Sequence, residues 1–137
     1  FKQKTAYEIS TRDWSSDVCS SDLGAAISGK TESGEILDAI RAKYPRMKVV
    51  LTLGENGSVY DDGKDRTAQS IFKVKAVDTT AAGDTFTGYF VTALAEGRTP
   101  AEALKRAAAA SAIAVSRKGA APSVPAVSEV EDFLAER

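Results

Sequence analysis

Asp84 lies where a strand breaks into small residues just before a helix, a position suited to a base beside an anion site. In Val77-Asp78-Thr79-Thr80-Ala81-Ala82-Gly83-Asp84-Thr85-Phe86-Thr87-Gly88, the small side chains allow the backbone N–H groups of residues 82–84 to face an anion. The helix that follows turns its positive dipole end to the same point. Asp84 can there accept a proton from an attacking hydroxyl. Positioning and charge stabilisation are most of what phosphoryl transfer asks of a protein, so Ala81, Ala82 and Gly83 as anion hole with Asp84 as base make a coherent half-site. The same residues also fit an ordinary Asp cap at a helix start, and on spacing alone the cap is the better supported of the two.

The elements that must position this turn can be read from periodicity. Ser33 to Tyr44 places Ile36, Leu37, Ile40 and Tyr44 on one helical face, and Pro45 ends the run. Val49-Val50-Leu51-Thr52-Leu53 is short, branched and apolar, the pattern of a buried parallel strand. It ends in Gly54-Glu55-Asn56-Gly57. Ser58 to Tyr60 and Ala68 to Ala76 read as strands around the acidic turn Asp61-Asp62-Gly63-Lys64-Asp65. Past the central turn, Phe86, Phe90, Ala93 and Leu94 form an apolar helix face that Gly97 stops. Thr99-Pro100-Ala101-Glu102 has the cap, the proline and the closing Glu of a capping box, and opens an Ala-rich helix to Val115. Ser128-Glu129-Val130-Glu131 repeats the box before a last short helix. Strands alternating with helices indicate an α/β fold, whose ligands gather beyond the carboxyl ends of strands. Two loops lie at such ends: Thr52 to Gly57, which by itself reads as a plain turn, and the Asp84 turn.

Composition narrows the partners. The chain has 18 basic and 19 acidic residues, a net charge of −1, and no Lys/Arg cluster, so charge makes no case for nucleic acid. No apolar run approaches the length of a membrane span, and the N-terminus lacks the apolar core of a secretory signal. There is no His, and the single Cys, Cys19, and single Trp, Trp14, both lie near the front. Beyond residue 23 disulfides and thiolate or imidazole metal sites are excluded, which fits a cytoplasmic protein.

That front block has an unusual character. Phe1 to Ile9 and Arg12 to Leu23 can be encoded by DNA that resembles a common sequencing adapter, with Ser10 and Thr11 falling where a sample index would lie. Residues 1–23 are therefore set aside as a non-native extension, and residues 24–137 are read as the native part.

The segment Ala76 to Gly88, with Arg117-Lys118-Gly119-Ala120-Ala121-Pro122-Ser123-Val124-Pro125, resembles the C-terminal signature region of the ribokinase-like (PfkB) carbohydrate kinases. The likeness runs with little interruption from about Lys48 to the C-terminus, and the motifs are about as far apart as in that family. It implies the C-terminal nucleotide-binding half of a Rossmann-type three-layer α/β/α fold, with the N-terminal half and lid missing, because such kinases are roughly twice this long. By the same resemblance Thr52, Leu53, Gly54, Glu55, Asn56 and Gly57 contact the nucleotide together with Gly83 and Asp84, the two loops flanking the ATP phosphates. A monovalent cation, usually potassium (K+), is implied between the second motif and the segment before the turn, at Asp78, Thr80, Ala114, Arg117, Gly119 and Ser123. Several of these would give carbonyl oxygens. Lys118 reads as a solvated helix-end cation, a role also open to the Arg117 side chain. Many family members carry a His near the adenine where this chain has Ala108. The Asn-x-x-Glu motif linked to Mg2+ and phosphate is missing, since Asn56 is the only Asn.

The activity so implied is ATP-dependent phosphorylation of the 5-hydroxyl of D-ribose by a parent enzyme, with the substrate hydroxyl meeting Asp84 and the fragment itself inactive. Fructose, a deoxy sugar acid or a nucleoside are alternative acceptors, and a non-catalytic nucleotide-binding module is the alternative of a different class. Family members commonly dimerise through lid strands, so the parent is expected as a homodimer and this chain is not. Half a sheet leaves edges and apolar faces bare, which points to aggregation when the chain is expressed alone. Amplifying the gene from source DNA should recover an upstream reading frame with a Gly-Gly segment and an Asn-x-x-Glu motif; an uninterrupted native start at Phe1 would contradict the reading of residues 1–23.

Overall fold

The computed structural model describes the backbone of residues 16–119 and 121–137, in two compact units that divide between Ala68 and Gln69. Residues 1–15 of the extension and Ala120 of the second motif lie outside the described residues.

The first unit is built on a four-stranded sheet of order β1-β2-β3-β4, comprising β1 (Ser16–Ser20), β2 (Lys48–Thr52), β3 (Ser58–Asp61) and β4 (Arg66–Gln69). β2 runs parallel to β1, pairing Ser16 with Lys48 through Ser20 with Thr52, and antiparallel to β3. The sheet is thus mixed. The strand expected over residues 49–53 lies one residue earlier, and Val49, Val50 and Leu51 are all buried. Residues 16–23 were set aside from the fold by sequence, yet they form β1 and open α1 (Ser21–Ser28). Pairing through main-chain groups accounts for this, because a ladder recruits N–H and C=O of any residue type.

α1 and α2 (Ser33–Lys43) pack over the sheet. Gly24 permits the close approach of α1: a Cβ there would stand 2.8 Å from Ile36 Cγ2 and 3.0 Å from Leu51 Cδ1. Ile36, Leu37 and Ile40 bury against Val49 and Leu51, as their helical spacing demands. Tyr44 does not join them. It is the C-cap of α2, with φ −132° and an exposed side chain, because the residue before Pro45 is steered out of the helical region.

Asp61 organises the far end of this unit. Its Oδ1 accepts from Arg41 Nη2 at 2.5 Å and Gly63 N at 2.7 Å, and its Oδ2 accepts from Arg66 Nε at 2.6 Å. Arg66 also pairs with Asp38, and Arg41 Nη1 donates to the carbonyls of Pro45 and Met47 at 2.9 and 2.6 Å. The end of α2 is thereby pinned to the β3–β4 turn.

The second unit contains α3 (Ala82–Ala95), α4 (Pro100–Val115) and α5 (Val127–Ala135). Phe86, Phe90 and Ala93 are buried as expected, with Leu94 half-buried, and Gly97 (φ +81°) ends α3 after Glu96. The capping box at Thr99 is formed: Thr99 Oγ1 accepts from Glu102 N at 3.3 Å and Glu102 Oε2 accepts from Thr99 N at 3.0 Å. Buried alanines at 103, 107, 109, 110 and 114 let α4 lie close to α3.

Two expectations are corrected here. The box expected at Ser128 is displaced: α5 begins at Val127 after Ala126, and Glu129 Oε2 accepts from Ala126 N at 2.7 Å. Ser128 already lies inside the helix. The strand expected over 68–76 is confined to Arg66–Gln69, and residues 70–79 form no regular element. Their period-two burial survives, with Phe72 and Val74 half-buried between exposed neighbours. Phe72 meets Phe133 edge-on with ring centroids 5.4 Å apart. A strand exists by pairing, and side-chain alternation alone does not supply a partner.

Burial pushes the Asp61 carboxyl upward, but the bonds from Arg66, Arg41 and the Gly63 amide outweigh it and hold the group below its ordinary value of 3.8. Its stabilisation is therefore in place above the unfolded-state value of about 3.9 and is lost as pH falls through the lower folded-state value. A carboxyl NMR titration should place the Asp61 midpoint below that of an unstructured Asp, with amide exchange at the β3–β4 turn rising in the same window. A midpoint at or above that of an unstructured Asp would refute the network's role.

Candidate functional site

The turn before α3 is fixed from both sides. Val77 N and Asp78 N donate to the Val115 carbonyl at 2.7 and 3.1 Å, so the approach to the turn is tied to the end of α4. Ala81 is the N-cap of α3 and is buried; its carbonyl accepts from Thr85 N at 2.9 Å. Ser111 Oγ on α4 donates to the Ala82 carbonyl at 3.2 Å.

Asp84 is consequently not the cap. It is the third residue of α3, exposed, and its carboxylate takes part in no hydrogen bond or ion pair among the described residues. The three amides expected to face an anion divide. Ala82 N donates to the Thr79 carbonyl at 3.2 Å, whereas the amides of Gly83 and Asp84 are the first-turn donors that a helix leaves without an internal partner. A Cβ built on Gly83 would meet nothing within 4 Å. A carboxylate, two directed N–H groups and the positive end of a fourteen-residue helix thus share one open corner.

Asp78 joins this corner to the second motif. Its Oδ1 accepts from Thr80 N at 2.9 Å and from Thr80 Oγ1, while its Oδ2 accepts from Gly119 N at 3.1 Å. The bonds from the Thr80 hydroxyl, the Thr80 amide and the Gly119 amide, in that order, hold the Asp78 carboxyl below its usual range. Of the six residues assigned by resemblance to a cation, three are therefore connected directly. Ala114 is buried and its carbonyl takes Arg117 N at 3.1 Å; Ser123 is fully buried in the single turn Ala121–Ser123. The Arg117 guanidinium is not free, because it pairs with Glu129, and Lys118 is exposed.

This donor set is made of carbonyls and hydroxyls with one carboxylate, which fits a weakly held monovalent cation. It does not suit Mg2+, which favours carboxylates and phosphate oxygens. Among the described residues no group of three or more His, Cys, Asp or Glu side chains could hold a metal.

In the first unit, the loop after β2 is closed by its own backbone. Leu53 N donates to the Gly57 carbonyl at 2.8 Å, around a single turn at Gly54–Asn56. Gly57, at φ +90° and ψ −141°, occupies a region that a side chain would make costly. Glu55 and Asn56 are exposed, and Thr52 and Leu53 are half-buried. Ala108 is buried in α4.

Two residues near the second motif were missed by sequence reasoning. Tyr89 Oη donates to the Pro125 carbonyl at 2.6 Å, and Glu129 bonds both Arg117 and Ala126 N. Glu129 carried only a helix-cap signal. Tyr89 carried none, since its partner is 36 residues away.

The sequence profile of the pfkB family carbohydrate kinases matches residues 21–127, and the chain belongs to that family. It is 49% identical over 87 residues to the ribokinase of Schizosaccharomyces pombe, an alignment covering 63% of this chain and 27% of that protein. The structure of Arabidopsis thaliana ribokinase complexed with ribose and ATP matches with TM-score 0.80 and 34% identity, over 87% of this chain and 40% of that one. A fructokinase double mutant from Vibrio cholerae, in fructose, ADP and potassium ion bound form, matches with TM-score 0.79 and 27% identity, over 88% of this chain and 40% of that one. The fold is the ribokinase-like α/β fold, represented in part. The chain spans about a quarter of the length of its curated ribokinase relatives.

Asp78→Ala should raise amide exchange at Gly119 and Thr80 while the buried amides of Ala107 to Ala110 stay protected. Unchanged exchange at Gly119 would show that the carboxylate does not hold the loop.

Proposed function

We propose that this chain is the nucleotide-binding part of an ATP-dependent sugar kinase whose acceptor is D-ribose. The observation that carries the reading is the open corner at α3: an exposed Asp84 carboxylate, without a partner among the described residues, beside the amides of Gly83 and Asp84. Asp84 takes the proton of the substrate hydroxyl. The two amides face the phosphoryl group as charge shifts during transfer, where fixed donors stabilise it without reorganising. Ala81 and Ala82 shape this anion hole through the cap and the bond to Thr79 rather than as open donors. By the family resemblance the loop Thr52 to Gly57 is read as a nucleotide-contacting loop in its own right.

Potassium would be held by oxygens of Asp78, Thr80, Ala114, Arg117, Gly119 and Ser123, Arg117 serving through its carbonyl because its side chain is engaged with Glu129. Its charge would help order the turn beside it. Mg2+ would arrive with the nucleotide phosphates, as is usual for that ion. Ribose is favoured over fructose by the higher identity to a ribokinase, 49% over 87 residues against 38% over 114 for tomato fructokinase-2. Residues 1–23 are read as standing in place of native sequence, and the parent enzyme as a cytoplasmic homodimer.

In the parent enzyme recovered from source DNA, Asp84→Asn should lower ribose-dependent turnover by about two to four orders of magnitude, the scale of a positioned base, with ATP binding retained. Turnover within a few-fold of wild type would remove Asp84 from the role.

A further inference from the structure

The Arg117–Pro125 loop is held at more points than its contact with Asp78. Glu129 grips it at both feet: one carboxylate oxygen pairs with the Arg117 guanidinium, and the other accepts from Ala126 N at 2.7 Å. Those two bonds, the Arg117 pair first, hold the Glu129 carboxyl below its ordinary value. Tyr89 adds a third point from α3. Its ring packs against the cluster of Ala109, Ala110, Ile113 and Val130, and its hydroxyl reaches the Pro125 carbonyl at 2.6 Å. Pro125 is buried and has no N–H, so its carbonyl is its one main-chain handle.

We propose that Tyr89 and Glu129 are positioning residues that preset the Arg117–Pro125 loop in the shape that meets Asp78. The argument is geometric. Tyr89 lies on the same helix as Asp84, so the hydroxyl bond ties that helix to the end of the loop, while Glu129 bonds Arg117 at one end of the loop and Ala126 N just past the other. Gly119 then reaches the Asp78 carboxylate with little ordering left to be done. A ligand bound beside the loop meets it already shaped, which lowers the entropy lost on binding. The inference rests on the reading of this loop as part of an ATP-side cation site, and its test separates the two.

Amide exchange and 15N shifts are measured on the parent enzyme recovered from source DNA, as wild type, Tyr89→Phe and Glu129→Gln, with potassium chloride titrated against sodium chloride. Loss of one ordinary hydrogen bond should raise exchange across residues 117–126 about fivefold in each variant, with Ala107 to Ala110 still protected. A potassium-specific shift at Gly119 and Thr80 should need about fivefold more salt in the variants. Loop exchange equal to wild type in both variants overturns the proposal. So does a rise that extends through α4, because the residues would then be general packing. If the wild type shows no potassium-specific shift, the cation reading fails while the exchange comparison still decides the positioning role.

Discussion

One carboxylate, Asp78, fixes the geometry on which the candidate site depends. It bonds Thr80 two residues ahead through one oxygen and Gly119 forty-one residues ahead through the other, so a local turn and a distant loop share one carboxylate. A charged acceptor is well suited to this task, because bonds to an ionised group are shorter and stronger than neutral ones. Without it, the turn preceding Asp84 would be tied to the rest of its unit mainly by the two amides at Val115. With it, the start of α3 is set at three points, and the open amides of Gly83 and Asp84 acquire a defined direction.

The two units solve the same problem with different materials. In the first, Asp61 collects two guanidinium groups and a backbone amide at the end of the sheet, and apolar Ile36, Leu37, Ile40, Val49 and Leu51 fill the space between helix and strand. In the second, small alanines bring α3 and α4 together, and ion pairs of Arg106 with Glu131 and Arg117 with Glu129 link α4 and its exit to α5. Small residues at a helix interface give little apolar area each, but they permit the close approach that lets Ser111 reach the Ala82 carbonyl.

Legibility in the sequence followed the range of each interaction. The start of α3, the capping box at Thr99 and the buried stripe of α2 were readable because each is decided within four or five residues. Tyr44 failed at the edge of that range, where Pro45 overrode the stripe. The strand expected over 68–76 and the box at Ser128 failed because a matching local pattern stands in for a partner that lies elsewhere. Asp84 stands out by its small neighbours, and its local pattern also fits a cap; the structure puts Ala81 in the cap instead. Tyr89, Asp61 and the second role of Glu129 are set by partners far along the chain, and no periodicity reports them.

The pairing of β1 with β2 carries a consequence for how such a sheet can be assembled. Ser16 to Ser20 sit in register with Lys48 to Thr52 although their sequence is neither apolar nor strongly branched. The flank of β2 beside β1 therefore holds its neighbour through main-chain donors and acceptors, which set strand direction and register without reading side-chain type. Most substitutions within Ser16 to Ser20 leave this ladder available, whereas a proline there removes an N–H from the strand.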